Sequence, residues 1–264
     1  MQTTPLSTVE KSIARPFTRR ARWWEIDALR GVAIIMMVIF HLMWDLWFFR
    51  ILPDVVLWAG FWKYFQRTTA TLFLLLVGVS LTVSYRRAGS ATNNGASLWT
   101  KFFWRGLRIF GLGMVISLAV WAAGVGYVHF GILHLIGVSI ILAYPFLPYR
   151  WLNLALWALL FIAGGWLQGI RVETTWLVWL GLEPVRYAAV DYFPLIPWFG
   201  VVLLGIFVGN TIYDDHGRRF LLPDWSDALP ARSLQFLGRH SLLIYMIHQP
   251  LLLVILAALG LVKF

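Results

Sequence analysis

Long apolar runs alternate with short polar, basic or glycine-bearing breaks along almost the whole chain. The first run, Ile26 to Phe49, is 24 residues long. As an α-helix it would measure roughly 36 Å, enough to cross a bilayer with some tilt. Further runs predict helical spans near residues 65–85, 102–122, 128–148, 151–168, 195–213 and 240–261. The expected fold class is therefore all-α, a polytopic membrane bundle of about seven transmembrane helices. Residues 1–21 read as a polar, basic cytoplasmic tail that is disordered, and residues 22–264 as one membrane domain. The break SATNNGAS, residues 90–97, has the composition of a flexible turn. The stretch 169–194 contains WLVWL, too short to span, and is expected to be re-entrant or interfacial, a candidate lid. No internal repeat is visible.

Composition narrows the class. The chain is 60% hydrophobic and 13% charged with a mean hydropathy of +0.74, which excludes an ordinary soluble domain. Sixteen tryptophans, several near predicted helix ends, suit the headgroup region. The absence of cysteine excludes disulfides and thiolate nucleophiles. A formal charge of +10 would suggest nucleic acid in a soluble protein, but here the basic residues gather in breaks between apolar runs, so no nucleic-acid partner is expected. Fifteen Lys and Arg fall on one set of alternate connections and their helix mouths, six fall on the other set, and Arg30 lies within the first span. That bias predicts a cytoplasmic N-terminus and a C-terminus outside.

Polar groups inside apolar spans mark the candidate chemistry, because charge at mid-membrane persists where it faces a protein interior or wet cavity. The first span holds Asp27, Arg30, His41 and Asp45. His41 and Asp45 are one helical turn apart, a spacing that lets a carboxylate orient an imidazole acting as base; the plainer reading is a structural histidine. Asp27 and Arg30 are spaced as an intrahelical pair that either anchors the helix or offers Arg30 to an anionic ligand, and Gly31 permits a close neighbour. Arg105 and Arg108 share a face at the mouth of the third span and either reach lipid phosphates or bind those of a cofactor. His134 lies near the expected depth of His41, but no metal-ligand spacing accompanies it and no metal is expected. Asp191 and Trp198, in DYFPLIPW, offer a hydrogen-bond acceptor and a flat ring to a substrate; a turn with an interfacial Trp explains them equally well. His248 sits near the middle of the last span beside Gln249 and Pro250.

Together the blocks IDALRGVAIIMMVIFH, FLLLVGVSL, FGILHLIG, DYFPLIPW and GRHSLLIYMIHQP resemble the heparan-alpha-glucosaminide N-acetyltransferase catalytic-domain family, in its short bacterial branch. The resemblance spans nearly everything from Arg22 to Leu261. It implies a transmembrane acyltransferase of the bacterial inner membrane that takes acetyl from cytosolic acetyl-CoA and delivers it to a sugar or glycan acceptor across the membrane. Under it, Arg30, Arg105 and Arg108 hold the CoA end. The catalytic set is His41, Asp45, His134 and His248, with Asp191 and Trp198 toward the acceptor and Asp27 and Gly31 structural. His41 either deprotonates the acceptor or takes the acetyl group itself. Arg30 and His41, eleven residues apart, are separated by roughly 16 Å of helix, comparable to an extended pantetheine arm. The competing expectations are a non-enzymatic transporter or flippase and an envelope scaffold. Membrane lipids are expected partners, and a homo-oligomer is left open.

Overall fold

The computed structural model describes residues 23–89, 95–214 and 217–262. The expected tail, residues 1–21, lies outside them, as do residues 90–94 of the expected turn; residues 95–97 are helical. Eight α-helices follow in order: α1 Trp24–Phe48, α2 Gly60–Gly89, α3 Gly95–Ala122, α4 Ile132–Leu142, α5 Trp151–Leu167, α6 Leu195–Ile212, α7 Leu229–Arg239 and α8 Ser241–Ala258. Each expected span overlaps one of these helices, though of 128–148 only Ile132–Leu142 is α-helical. Among the described residues five are long and apolar enough to cross a membrane, namely α1, α2, α3, α6 and α8, while α4 and α5 are apolar but shorter.

The shortness of α4 has a local cause. Val128–Gly131 runs extended, with Phe130 bridged to Tyr192, so the helix begins only at Ile132. At the other end Pro145 lacks an amide proton and restrains Tyr144, and the chain tightens into a 3-10 turn at Tyr144–Phe146.

The bundle is held by close helix crossings at glycine, the usual solution where lipid removes the hydrophobic drive between helices. On α2, a Cβ at Gly78 would lie 2.7 Å from the Ile206 amide nitrogen of α6. On α3, a Cβ at Gly106 would lie 2.6 Å from the Gly137 carbonyl oxygen of α4. Gly164 of α5 faces Pro197 of α6 in the same way, at 2.7 Å. Between these crossings Leu74, Leu81, Leu135, Ile140, Leu203 and Ile206 form the dry core. The lipid-facing side is apolar too: Met114, Val115 and Leu118 of α3 are all exposed, the inverse of a water-soluble surface.

α7 was not expected. Its mean hydropathy is too low for a span, and the sequence reads there as a cytoplasmic connection. It is amphipathic, carries Pro230 in its first turn, and packs along the N-terminal half of α1. Gly31 lies against the Leu234 backbone and Gly238 against the Asp27 carbonyl, so neither position has room for a side chain.

The 169–194 connection folds as a small cap. Strands β1 (Arg171–Val172) and β2 (Glu183–Pro184) pair in parallel, Arg171 meets Glu183 at 2.6 Å, and the Thr175–Leu180 turn buries Val178, whose carbonyl accepts from Tyr192 Oη at 2.9 Å.

Candidate functional site

α1 carries the polar groups at both of its ends. Near the N-terminal end, Asp27 is buried and accepts from Arg30 Nη1 at 2.9 Å, while Arg239 of α7 approaches its other oxygen at 3.5 Å. Arg30 Nη2 donates to Ser80 Oγ of α2 at 2.5 Å, and Ser80 in turn donates to the Leu76 carbonyl. Asp27 and Arg30, spaced as an intrahelical pair, are thus one corner of a network joining α1, α2 and α7. Glu25, next to it, accepts from Tyr213 Oη at 3.1 Å and Arg218 at 3.4 Å. Beside these groups lies a cavity of about 1020 Å³ whose lining includes Trp23, Trp24, Arg218, Arg232 and Arg239.

Toward the other end, α1 meets α8. The His41 ring stands edge-to-face on His248, with centroids 4.6 Å apart. Each imidazole donates Nδ1–H to a carbonyl of its own helix, His41 to Met37 at 2.9 Å and His248 to Tyr245 at 2.7 Å. Those bonds fix the neutral tautomer and leave both Nε2 atoms as acceptors. Asp45 is completely buried and accepts from Gln249 Nε2 at 2.5 Å. The expected contact between His41 and Asp45 is not made. Spacing on one helix allows it, but the His41 Nδ1–H is taken by the preceding turn and the Asp45 carboxyl is turned to α8.

His134 belongs elsewhere. Its Nδ1 accepts the Gly131 amide at 3.2 Å, closing the first turn of α4, and its ring packs edge-on against Phe110 of α3 at 5.1 Å. It does not join the α1–α8 cluster, contrary to a shared catalytic set. Asp191 is a helix cap: Oδ2 accepts the Ile132 amide at 3.0 Å, and Gly131 lacks a side chain where the carboxyl approaches. Burial pushes this carboxyl up to about 6, the Ile132 amide opposing the shift. Tyr245 of α8 lies within electrostatic range of Asp191 and its ring is 5.6 Å from His248, which connects the cap of α4 to the histidine pair. Trp198 is not an open platform; it packs on Phe193 at 5.0 Å and against the core. Arg105 and Arg108 are exposed, and Arg105 is near enough to Arg30 for their charges to repel.

Several participants escaped the sequence reading. Ser80 reads as a packing residue, Asn210 as part of an apolar run, and Gln249 only as a neighbour of His248. Asn210 is buried, accepts from Arg86 at 2.9 Å and donates to the Leu147 carbonyl at 3.0 Å. The available signal was the cost of a lone amide in an apolar helix, which calls for a partner on another helix without naming it.

A bundle of apolar helices whose interior holds a histidine pair and a buried carboxyl, with a basic rim at the N-terminal end of α1, defines an integral-membrane protein with a polar, protein-lined interior. Its family is shown by the match of residues 22–250 to the model described as heparan-alpha-glucosaminide N-acetyltransferase, catalytic. The chain belongs to that family, a family of membrane acetyltransferases. No curated protein and no solved structure matches it.

Proposed function

We propose that this chain transfers acetyl from cytosolic acetyl-CoA to a sugar or glycan on the far side of a bacterial inner membrane, with seven spans, the N-terminus cytoplasmic and the C-terminus outside. The observation that carries the reading is the His41–His248 pair inside the bundle of a chain of this family. His41 keeps some exposure, and its Nε2 presents a lone pair because Nδ1–H is committed to Met37. As the acceptor attacks the thioester carbonyl, His41 Nε2 takes the proton from the attacking N–H or O–H; the carbon–sulfur bond breaks, and the same proton goes to the departing thiolate. His248 backs the ring and holds it edge-on.

The donor's phosphates fit the inner rim. The side chains of Arg105 and Arg108 make no hydrogen bond or ion pair among the described residues, and that of Arg232 in the neighbouring cavity makes none either. Arg30 is shared between this role and its network with Asp27 and Ser80. His134 and Asp191 act at second hand, through α4, whose first turn they both close.

The test is acetyl-CoA binding to purified protein in detergent, by thermal shift and titration, followed by transfer to an amino-sugar panel with His41→Ala as the control. Saturable binding weakened by Arg105→Ala supports the reading. A folded sample that binds no acetyl-CoA overturns it in favour of a transporter or scaffold, as does His41→Ala turning over like wild type.

A further inference from the structure

Where α8 crosses the outer half of α1, four polar side chains meet, His41 and Asp45 from one helix and His248 and Gln249 from the other. Their hydrogen-bond inventory does not close. Gln249 donates to Asp45 Oδ1, and both imidazoles donate within their own helices. The atoms left buried without a partner are Asp45 Oδ2, Gln249 Oε1 and His248 Nε2. With Asp45 ionised, all three are acceptors and none can satisfy another. A carboxylate shut among acceptors inside a membrane bundle costs several kcal/mol with no donor to offset it.

Among the described residues no Lys or Arg forms an ion pair with Asp45. The nearest basic residue along the chain is Arg50, five residues on and just past α1, but it is exposed and forms no ion pair with Asp45 among the described residues; within α1 the nearest charged groups are Arg30 and Asp27, fifteen and eighteen residues away, or roughly 22 and 27 Å along the axis. From α8 the titratable groups are His248 and Tyr245, and the Tyr245 backbone carbonyl already holds the His248 Nδ1–H. On α2, the contact of Arg30 with Ser80 sets an antiparallel register that brings Lys63 and Arg67 toward this end, yet neither forms an ion pair with Asp45. α7 packs at the opposite end, through Gly31 and Gly238.

One proton resolves the count. Placed on Asp45 Oδ2, it makes a carboxylic acid whose O–H donates to Gln249 Oε1 while Gln249 Nε2–H donates to Oδ1. The two unpartnered oxygens become partners in a cyclic, uncharged acid–amide pair. We infer that Asp45 is held as a neutral acid in such a pair, and that Asp45 and Gln249 are positioning residues that set α8 so that His248 meets His41. The structural part stands alone; its consequence for acetyl transfer rests on the function proposed above. That consequence is that the imidazolium formed at His41 meets a neutral imidazole and has a neutral acid, not a carboxylate, one turn further along its helix.

Infrared spectroscopy of the full chain in lipid nanodiscs at neutral pH tests the inference. The expected result is a protonated-carboxyl C=O band that is lost in Asp45→Asn and displaced in Gln249→Leu. Asp45→Asn replaces the acid–amide pair by an amide–amide pair of the same shape and keeps the melting temperature, whereas Gln249→Leu breaks the pair and lowers it. In turnover, Gln249→Leu lowers kcat with KM for acetyl-CoA unchanged. No band removable by Asp45→Asn, or Asp45→Asn destabilising the protein as much as Gln249→Leu, overturns the inference. If wild type transfers no acetyl group the proposed function fails, and the band and the two melting temperatures still decide the state of Asp45.

Discussion

Arg30→Ala separates the anchoring and ligand roles of the guanidinium. The change removes the donor held by Asp27 at 2.9 Å and the contact with Ser80 at 2.5 Å. The Asp27 side chain is 7% exposed, so among the described residues its charge would be left with Arg239, 3.5 Å away, as its ion-pair partner. Removing one member of a buried pair costs about 3–5 kcal/mol. Arg30 is 27% exposed and Arg239 stays, which places the loss near the lower end, about 3 kcal/mol. At roughly 2–4 °C per kcal/mol for a chain of this size, the melting temperature should fall by roughly 6–12 °C. Adding Asp27→Asn should restore part of that loss, because an amide no longer needs a cation. Thermal unfolding of the two single variants and the double variant in nanodiscs gives the coupling directly. If Arg30→Ala melted with wild type while losing acetyl-CoA affinity, the network would carry no stability and the reasoning would fail.

Three further outcomes are expected. His41→Ala should lower transfer by about 10²–10⁴-fold, the range for loss of a general base, while acetyl-CoA titrations stay as in wild type. Gly31→Leu should drive a side chain into the Leu234 backbone, costing about 1–3 kcal/mol or more, and make the connection before α7 newly sensitive to protease; an unchanged digestion pattern would show that α7 does not pack there. Asp191 titrates in the folded state at about 6 against an ordinary 3.8, so between those values the folded protein binds more protons than the unfolded chain. Its contribution to stability is therefore present at low pH and declines as pH rises through that window. The melting-temperature advantage of wild type over Asp191→Asn should shrink over the same range, and a flat or growing difference would contradict the burial of this carboxyl.

The helical class and the places of the spans were legible in the chain because hydrocarbon imposes a one-dimensional rule: about twenty apolar residues in a row. The polar exceptions, Asp27, Arg30, His41, Asp45 and His248, stood out for the same reason. Their partners did not. Spacing paired His41 with Asp45, since both lie on one helical face, and grouped His134 with them by depth. Such spacing shows which groups can meet along one helix but is silent about competitors from another. Low hydropathy hid α7, although Gly31 was visible as a residue that permits close approach.

Sequence alone determined that this is a helical membrane protein of the acetyltransferase family, because apolar run length and local motifs are properties of consecutive residues. Tertiary structure decided that Asp45 answers to Gln249 and Arg30 to Ser80, pairs 204 and 50 residues apart, and that Asp191 serves as a cap for α4. Those choices follow from which helices cross and at what rotation, set by glycine contacts and by the need of each buried polar atom to find a partner outside its own turn.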